Sequence, residues 1–88
     1  MRVIFARRGW TEYLHWASAD ARVFGKVNDL IEDIRRSPFK GIGKPEPLRN
    51  DKAGWWSRRI TEEDRIIYRV HGRGEDQHVE IAQCRFHY

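Results

Sequence analysis

The sequence predicts a single α+β domain in which one twisted, mainly antiparallel sheet carries two helices on one face. Three observations favour this fold class: an apolar run near the N-terminus, an apolar stripe at helical spacing in the first half, and three strand-like segments in the second half. The 88 residues suffice for one domain and are too few for two. Residues 1–88 are therefore expected to form one domain with the order β-α-α-β-β-β.

The chain begins with a predicted strand and a short helix. The apolar run Val3–Ala6 is typical of a strand. Apolar residues then recur at helical spacing, which predicts the first helix. These residues are Trp10, Tyr13, Leu14 and Ala17.

The second helix has the clearest pattern in the sequence. Ser18 or Asp20 can cap its N-terminus, and Pro38 ends it. Its apolar residues follow the i, i+3, i+4, i+7 spacing of a helix that buries one face. They are Val23, Phe24, Val27, Leu30, Ile31 and Ile34.

The second half is predicted to form a loop followed by three strands. The loop, Pro38–Asn50, contains all three prolines and is expected to be ordered. Two polar turns, Thr61–Asp64 and Gly72–Asp76, separate the strands. The strands are Trp55–Ile60, Arg65–His71 and His78–Phe86.

Alternation of side chains assigns the faces of these strands. One consistent solution places four residues on the sheet face away from the helices: Arg59, Arg65, Arg85 and His87. An isolated arginine on a strand usually faces solvent without a function, whereas several cations beside a histidine are typical of an anion site. This face is therefore a candidate site for a phosphate group.

Positive charge is concentrated in one segment. The net charge is +4 overall, but residues 35–59 contain eight basic residues against two acidic ones, which gives this segment +6. Trp55 and Trp56 lie in the same segment, so it predicts single-stranded nucleic acid as a partner. A solvated basic face is the alternative that composition leaves open.

Composition argues against several classes of protein. No apolar run approaches the roughly 18 residues that span a membrane, and the N-terminal apolar stretch is too short for a signal peptide. The single cysteine, Cys84, is expected to be a small buried residue of the last strand in a cytoplasmic protein. The spacings of histidine and cysteine match no zinc pattern, so we expect no metal and no cofactor.

Four residues suit RNA cleavage without a metal ion. This chemistry needs a base for the ribose 2′-hydroxyl, cations for the phosphate and an acid for the leaving oxygen. Glu46 lies between two prolines, which restrict its backbone. Arg65 suits bidentate contact with phosphate, His87 carries an imidazole that can act as the acid, and Tyr88 supplies a phenol or a stacking ring. The alternatives are an inert surface glutamate and a frayed terminus.

Six segments carry a resemblance to a known family. They are Trp10–Trp16, Ile34–Phe39, Gly43–Leu48 (GKPEPL), Gly54–Ile60 (GWWSRRI), Glu62–Arg65 and Cys84–Tyr88 (CRFHY). On these segments the chain resembles the YoeB (Txe) family of bacterial toxins, a branch of the RelE/ParE superfamily, over nearly its whole length. The resemblance implies a RelE-like fold.

The resemblance also implies an activity. Family members are ribosome-dependent endoribonucleases (mRNA interferases) of type II toxin–antitoxin systems, which inhibit translation by cleaving mRNA in the decoding site. By resemblance, Glu46 is the general base, Arg65 stabilises the phosphate, His87 is the general acid and Tyr88 positions the nucleotide. Basic, aromatic and sheet-face positions complete the predicted RNA-binding set: Arg49, Lys52, Trp55, Arg59 and Arg85.

The expected partners follow from the same resemblance. They are a YefM/Phd-type antitoxin, the ribosome and mRNA, a second copy of the chain, and operator DNA through the antitoxin complex only; no membrane is expected. The chain departs from the family pattern at Arg49, where lysine is common, at Trp55, where phenylalanine is frequent, and in a longer turn at Gly72–Gln77. Two other functions stay open: gyrase poisoning, as in the ParE branch, and a degenerate toxin that acts only as a corepressor.

Overall fold

Two helices pack against a five-stranded mixed sheet in the computed structural model, which describes residues 1–87. The strand order is β1-β5-β4-β3-β2, with β1 parallel to β5 and every other neighbouring pair antiparallel. The elements are β1 (Arg2–Phe5), α1 (Arg7–Ala19), α2 (Ala21–Arg36), β2 (Glu46–Pro47), β3 (Trp56–Arg59), β4 (Arg65–His71) and β5 (His78–Gln83).

The predicted α+β class is confirmed, with two corrections to the strands. The predicted loop Pro38–Asn50 contains a two-residue edge strand, β2, which pairs with β3. Proline is tolerated at such an edge because its missing N–H faces away from the ladder. The last strand ends at Gln83 instead of Phe86, so residues 84–87 lie outside it.

The first helix buries a different face from the one that its large apolar residues suggest. Gly9, Glu12 and Trp16 are buried, whereas Trp10 and Leu14 are about half exposed. A Cβ atom at Gly9 would overlap the carbonyl oxygen of Ile81. Glycine at this position therefore lets α1 pack directly against β5.

The second helix forms as its pattern predicts. Asp20 is its N-cap, and its Oδ1 accepts the backbone N–H groups of Arg22 and Val23, both at 3.1 Å. The apolar stripe faces the sheet, and its central residues are completely buried. The core of the domain comprises Trp16, Val27, Leu30, Ile34, Ile60, Ile66, Tyr68, Val79, Ile81 and Cys84.

Arg58 is completely buried, which corrects its place in the predicted basic surface. It lies on the helix-facing side of β3 and forms an ion pair with Asp33 of α2. Its Nε donates to the hydroxyl of Tyr68 at 3.1 Å. The hydrogen bond from Arg58 is the main cause that lowers the pKa of Asp33, and the backbone N–H of Ile42 lowers it further.

The same guanidinium fixes the loop after α2. Its Nη groups donate to three backbone carbonyls, those of Ser37 (2.7 Å), Lys40 (3.1 Å) and Ile42 (3.0 Å). Next along the chain, the N–H of Arg59 donates to the carbonyl oxygen of Gly43 at 2.7 Å. Two adjacent residues of β3 therefore hold the loop that leads to β2.

We expect Arg58→Met to reduce the free energy of unfolding by about 3–5 kcal/mol. The substitution leaves a partly buried carboxylate and several backbone carbonyls without their donor. Urea unfolding followed by circular dichroism measures the change.

Arg59→Met is the matched control, because it removes the same charge from the exposed face of the same strand. Its unfolding free energy should stay within about 0.5 kcal/mol of the original chain. Equal destabilisation by the two substitutions would contradict the role assigned to Arg58.

Candidate active site

Strand register brings two of the candidate catalytic residues, Glu46 and Arg65, to one sheet face. Glu46 on β2 lies opposite Ser57 on β3, and Arg59 lies opposite Arg65 on β4. Residues directly opposite each other in an antiparallel ladder share a face. Because Arg58 and Tyr68 occupy the helix-facing side, this set projects from the other, open side of the sheet.

A small cleft lies between these side chains. Its volume is about 110 Å³, and its lining residues are Lys44, Glu46, Ser57, Arg59, Arg65 and His87. The cleft thus combines one carboxylate, one imidazole, one hydroxyl and three cations. Three positive groups around one carboxylate suit a phosphodiester beside a proton acceptor.

The positions of Glu46 and Lys44 are set by the loop that is hydrogen-bonded to Arg58 and Arg59. Lys44 has a φ angle of 53° and follows Gly43, whose φ angle is 80°. A Cβ at Gly43 would also crowd Leu30 of α2. The left-handed turn therefore requires glycine at position 43, where the chain passes over the core. After this turn, Lys44 and Glu46 line the cleft.

Arg65 is anchored along one edge of its guanidinium. Its Nη1 donates to the carbonyl oxygens of Thr61 (2.8 Å), Glu62 (3.3 Å) and Asp64 (2.9 Å) in the β3–β4 turn. These contacts fix the side chain before any ligand binds. A preorganised cation loses little conformational entropy when it contacts a phosphate.

His87 reaches the cleft because the end of the chain is held against the domain. The backbone of Cys84 is bonded on both sides by α1: its N–H donates to Glu12 Oε1 and its carbonyl accepts from Trp16 Nε1, each at 2.8 Å. The chain is therefore tied to α1 at Cys84, three residues before His87. Tyr88, the fourth predicted catalytic residue, lies outside the described residues.

The predicted RNA-binding residues fall into four places. Arg59 lines the cleft, and Arg49 and Lys52 line an adjoining open groove of about 640 Å³ that also includes Glu46. Trp55 lies at the side of the same face, with the guanidinium of Arg69 4.2 Å from its ring centroid.

Arg85 is not on the predicted face. It lines a separate cavity of about 450 Å³ with Trp16, Phe86 and His87, and its guanidinium lies 4.5 Å from the centroid of the Phe86 ring. The prediction extended strand alternation past Gln83, where β5 has already ended. His87 lines both cavities.

Other side chains of the basic segment also depart from expectation. Trp56 packs against the core, and its ring centroid lies 5.0 Å from that of Phe39, so Trp56 is not an open stacking platform. Lys44 and Ser57 are cleft residues to which sequence analysis gave no role. The sequence contains a pattern that could have identified each of them. Lys44 lies in the GKPEPL segment, and Ser57 is two residues from Arg59 and therefore on the same strand face.

Cys84 is buried, as predicted, and follows the last strand instead of lying in it. Burial is the main cause that raises the pKa of its thiol to about 12, with Glu12 and Asp64 adding to the effect. Among residues 1–87, no group of three or more histidine, cysteine, aspartate or glutamate side chains is arranged to hold a metal ion. Within the same residues, neither helix is long and apolar enough to cross a membrane.

Comparison with known proteins identifies the class of this protein. Residues 5–88 match the family described as YoeB-like toxin of bacterial type II toxin–antitoxin system. The toxin YoeB of Escherichia coli K12 is 49% identical over the full length of both chains. The fold and these matches define the protein as a toxin of a type II toxin–antitoxin system. Within that class, the chain belongs to the YoeB-like toxin family.

Solved structures agree in fold over the whole chain. A YoeB/ParE toxin from Agrobacterium tumefaciens superimposes with a TM-score of 0.97 at 52% identity, covering all of both chains. YoeB from Staphylococcus aureus has been solved as a dimer and in a heterotetrameric complex with YefM. These structures give TM-scores of 0.88 and 0.87 at 35% identity, covering 100% of this chain and 98% of the other.

We predict that Cys84 reacts slowly with iodoacetamide at pH 8 in the native protein and rapidly in 6 M guanidinium chloride. The thiolate is the reactive form, and burial holds the thiol in its protonated form at this pH. Mass spectrometry of the alkylated protein follows both rates. Equal rates in the native and unfolded states would contradict the assignment of Cys84 as an inert core residue.

Proposed function

We propose that this toxin is a ribosome-dependent endoribonuclease that cleaves mRNA in the decoding site. The observation that carries the proposal is the cleft in which Glu46 and His87 meet three cations. A carboxylate and an imidazole beside a cationic phosphate site supply the groups that cleavage at a ribose 2′-hydroxyl requires. Gyrase poisoning would leave these two side chains without a role.

In the first step, Glu46 accepts the proton of the 2′-hydroxyl. The freed 2′-oxygen attacks the adjacent phosphorus, and negative charge builds on the nonbridging phosphate oxygens. The paired position of Glu46 opposite Ser57 supports this role, because it places the carboxylate at the rim of the cationic cleft.

In the second step, the bond from phosphorus to the 5′-oxygen breaks. His87 donates a proton to the leaving oxygen, which yields a 5′-hydroxyl and an upstream 2′,3′-cyclic phosphate. Arg65, Arg59 and Lys44 stabilise the charge on phosphorus-bound oxygens. Arg65 is best prepared for this, since three carbonyls already fix one side of its guanidinium. Tyr88 is assigned to positioning the nucleotide on the family resemblance alone.

The open form of the cleft supports dependence on the ribosome. Glu46 and Arg59 are exposed, and the cleft volume of about 110 Å³ is too small to enclose a nucleotide. A ribosome that fixes the mRNA backbone supplies the missing orientation, which can be worth several kcal/mol. Action on the ribosome implies a cytoplasmic location, and we propose Arg49, Lys52, Trp55 and Arg85 as further contacts to RNA.

The proposed protein partners are a YefM-type antitoxin and a second copy of the toxin. The Staphylococcus aureus relative supports both, since its structures include a dimer and a YoeB–YefM complex. An acidic antitoxin segment laid over Arg59 and Arg65 would neutralise the cleft and block RNA. Binding to operator DNA is assigned to that complex only.

We expect Glu46→Gln to reduce ribosome-dependent cleavage by about 10²–10⁴-fold, the usual contribution of a general base. Deletion of His87 and Tyr88 should have an effect of similar size. Glu46 and His87 are exposed and lie outside the core, so the unfolding midpoint and antitoxin affinity should stay nearly unchanged in both variants. Primer extension on mRNA from a reconstituted translation reaction measures the cleavage rate.

Asp51→Asn is the matched control for Glu46→Gln. Asp51 is an exposed carboxylate that lines the adjoining groove and not the cleft. Its substitution should change the rate less than about threefold. Cleavage by Glu46→Gln within threefold of the original chain would remove Glu46 from the mechanism and contradict the proposal.

A further inference from the structure

The chain end is held at a second point, beyond Cys84. The N–H of Phe86 donates to Asp64 Oδ1 at 2.7 Å, and the carbonyl oxygen of Phe86 accepts the N–H of Arg65 at 3.0 Å. Asp64 of the β3–β4 turn and Arg65 at the start of β4 thus bind both backbone groups of the residue that directly precedes His87.

The backbone of Phe86 is in a conformation that needs such support. Its φ angle is 67°, in the left-handed region that residues other than glycine rarely adopt. Strained backbone of this kind persists where surrounding contacts fix it, and it is frequent at functional sites. The left-handed residue turns the chain after Arg85, so that His87 lies beside Arg65 in the cleft instead of continuing the line of β5.

Asp64 is itself rigid, because both of its carboxylate oxygens have partners. Oδ2 accepts the hydroxyl of Thr61 at 2.8 Å, while Oδ1 holds Phe86. The backbone N–H of Asp64 donates to Thr61 Oγ1 at 3.0 Å, and its carbonyl accepts the N–H of Ile60 at 3.0 Å. The β3–β4 turn therefore provides a fixed acceptor for the tail.

We infer that Asp64 is a positioning residue that holds His87 in the cleft through the backbone of Phe86. It does not contact the reacting atoms. The inference rests on the proposed function for its effect on cleavage, whereas its effect on the tail is independent of any activity.

Three substitutions separate this role from a loss of charge or of fold. Asp64→Ala removes the acceptor for Phe86. Asp64→Asn keeps a side-chain oxygen that can accept the same N–H group. Glu63→Ala removes one negative charge from the neighbouring position. The Glu63 side chain is exposed and, like Asp64, lines the cavity of about 450 Å³ that contains Arg85.

The first measurement is amide hydrogen exchange of Phe86 by NMR in the isolated toxin. Asp64→Ala should raise the exchange rate of Phe86 at least tenfold, while the amides of β4 keep their protection. Asp64→Asn and Glu63→Ala should leave it within about threefold. An unchanged rate in Asp64→Ala would overturn the inference, whether or not the protein cleaves RNA.

The second measurement is the single-turnover cleavage rate on saturating ribosome–mRNA complex. Asp64→Ala should lower it about 10- to 100-fold, as for a catalytic group displaced by roughly 1 Å, with less than a twofold change in the half-saturating concentration. Asp64→Asn should restore most of the rate, and Glu63→Ala should not lower it.

A double substitution shows whether Asp64 acts through His87. In a His87→Ala background, Asp64→Ala should cause no further loss, since residues that act as one unit are not additive. An additive loss would show a separate role for Asp64 and overturn the inference. If the original chain cleaves no mRNA, the proposed function fails, and the exchange measurement alone decides whether Asp64 holds the tail.

Discussion

The buried guanidinium of Arg58 is the interaction on which the arrangement of this toxin depends. One side chain binds Asp33 of α2, the hydroxyl of Tyr68 and three carbonyls of the loop that follows the helix. A buried charge of this kind is tolerated only when its donors are paired. The loop carbonyls therefore stabilise the buried charge of Arg58, and Arg58 in turn fixes the loop. The position of Glu46 depends on this loop, because the loop leads directly into β2.

Strand alternation lets one strand serve both stability and chemistry. Arg58 and Arg59 are adjacent in β3 and point to opposite faces of the sheet. The first ties the core to the loop, and the second faces the cleft with Glu46 and Arg65. The edge strand β2 has only two residues, but its pairing with β3 and the bonded loop before it fix its position. This short strand can therefore carry the proposed catalytic base, Glu46.

Local signals predicted the parts of the fold that depend on local physics. The N-cap Asp20 and the apolar stripe of α2 are confirmed because capping and helical periodicity act within a few residues. The burial of Arg58 was missed, since alternation gives a face but not the acceptors that long-range packing supplies. The face predicted for Arg85 was wrong, because β5 ends at Gln83 and strand alternation does not extend to Arg85. Alternation predicted the shared face of Arg59 and Arg65, whereas the edge strand that carries Glu46 lay within a predicted loop.

The proposed reaction proceeds through the ribose 2′-hydroxyl of the RNA, with Glu46 as base and His87 as acid. The most direct measurement places a single 2′-deoxynucleotide at the cleaved position of a ribosome-bound mRNA and compares it with the all-ribose message. We expect a 2′,3′-cyclic phosphate and a 5′-hydroxyl from the all-ribose message and no cleavage at the deoxy position. Cleavage of the deoxy message at a comparable rate, or products with a 3′-hydroxyl, would contradict this proposal.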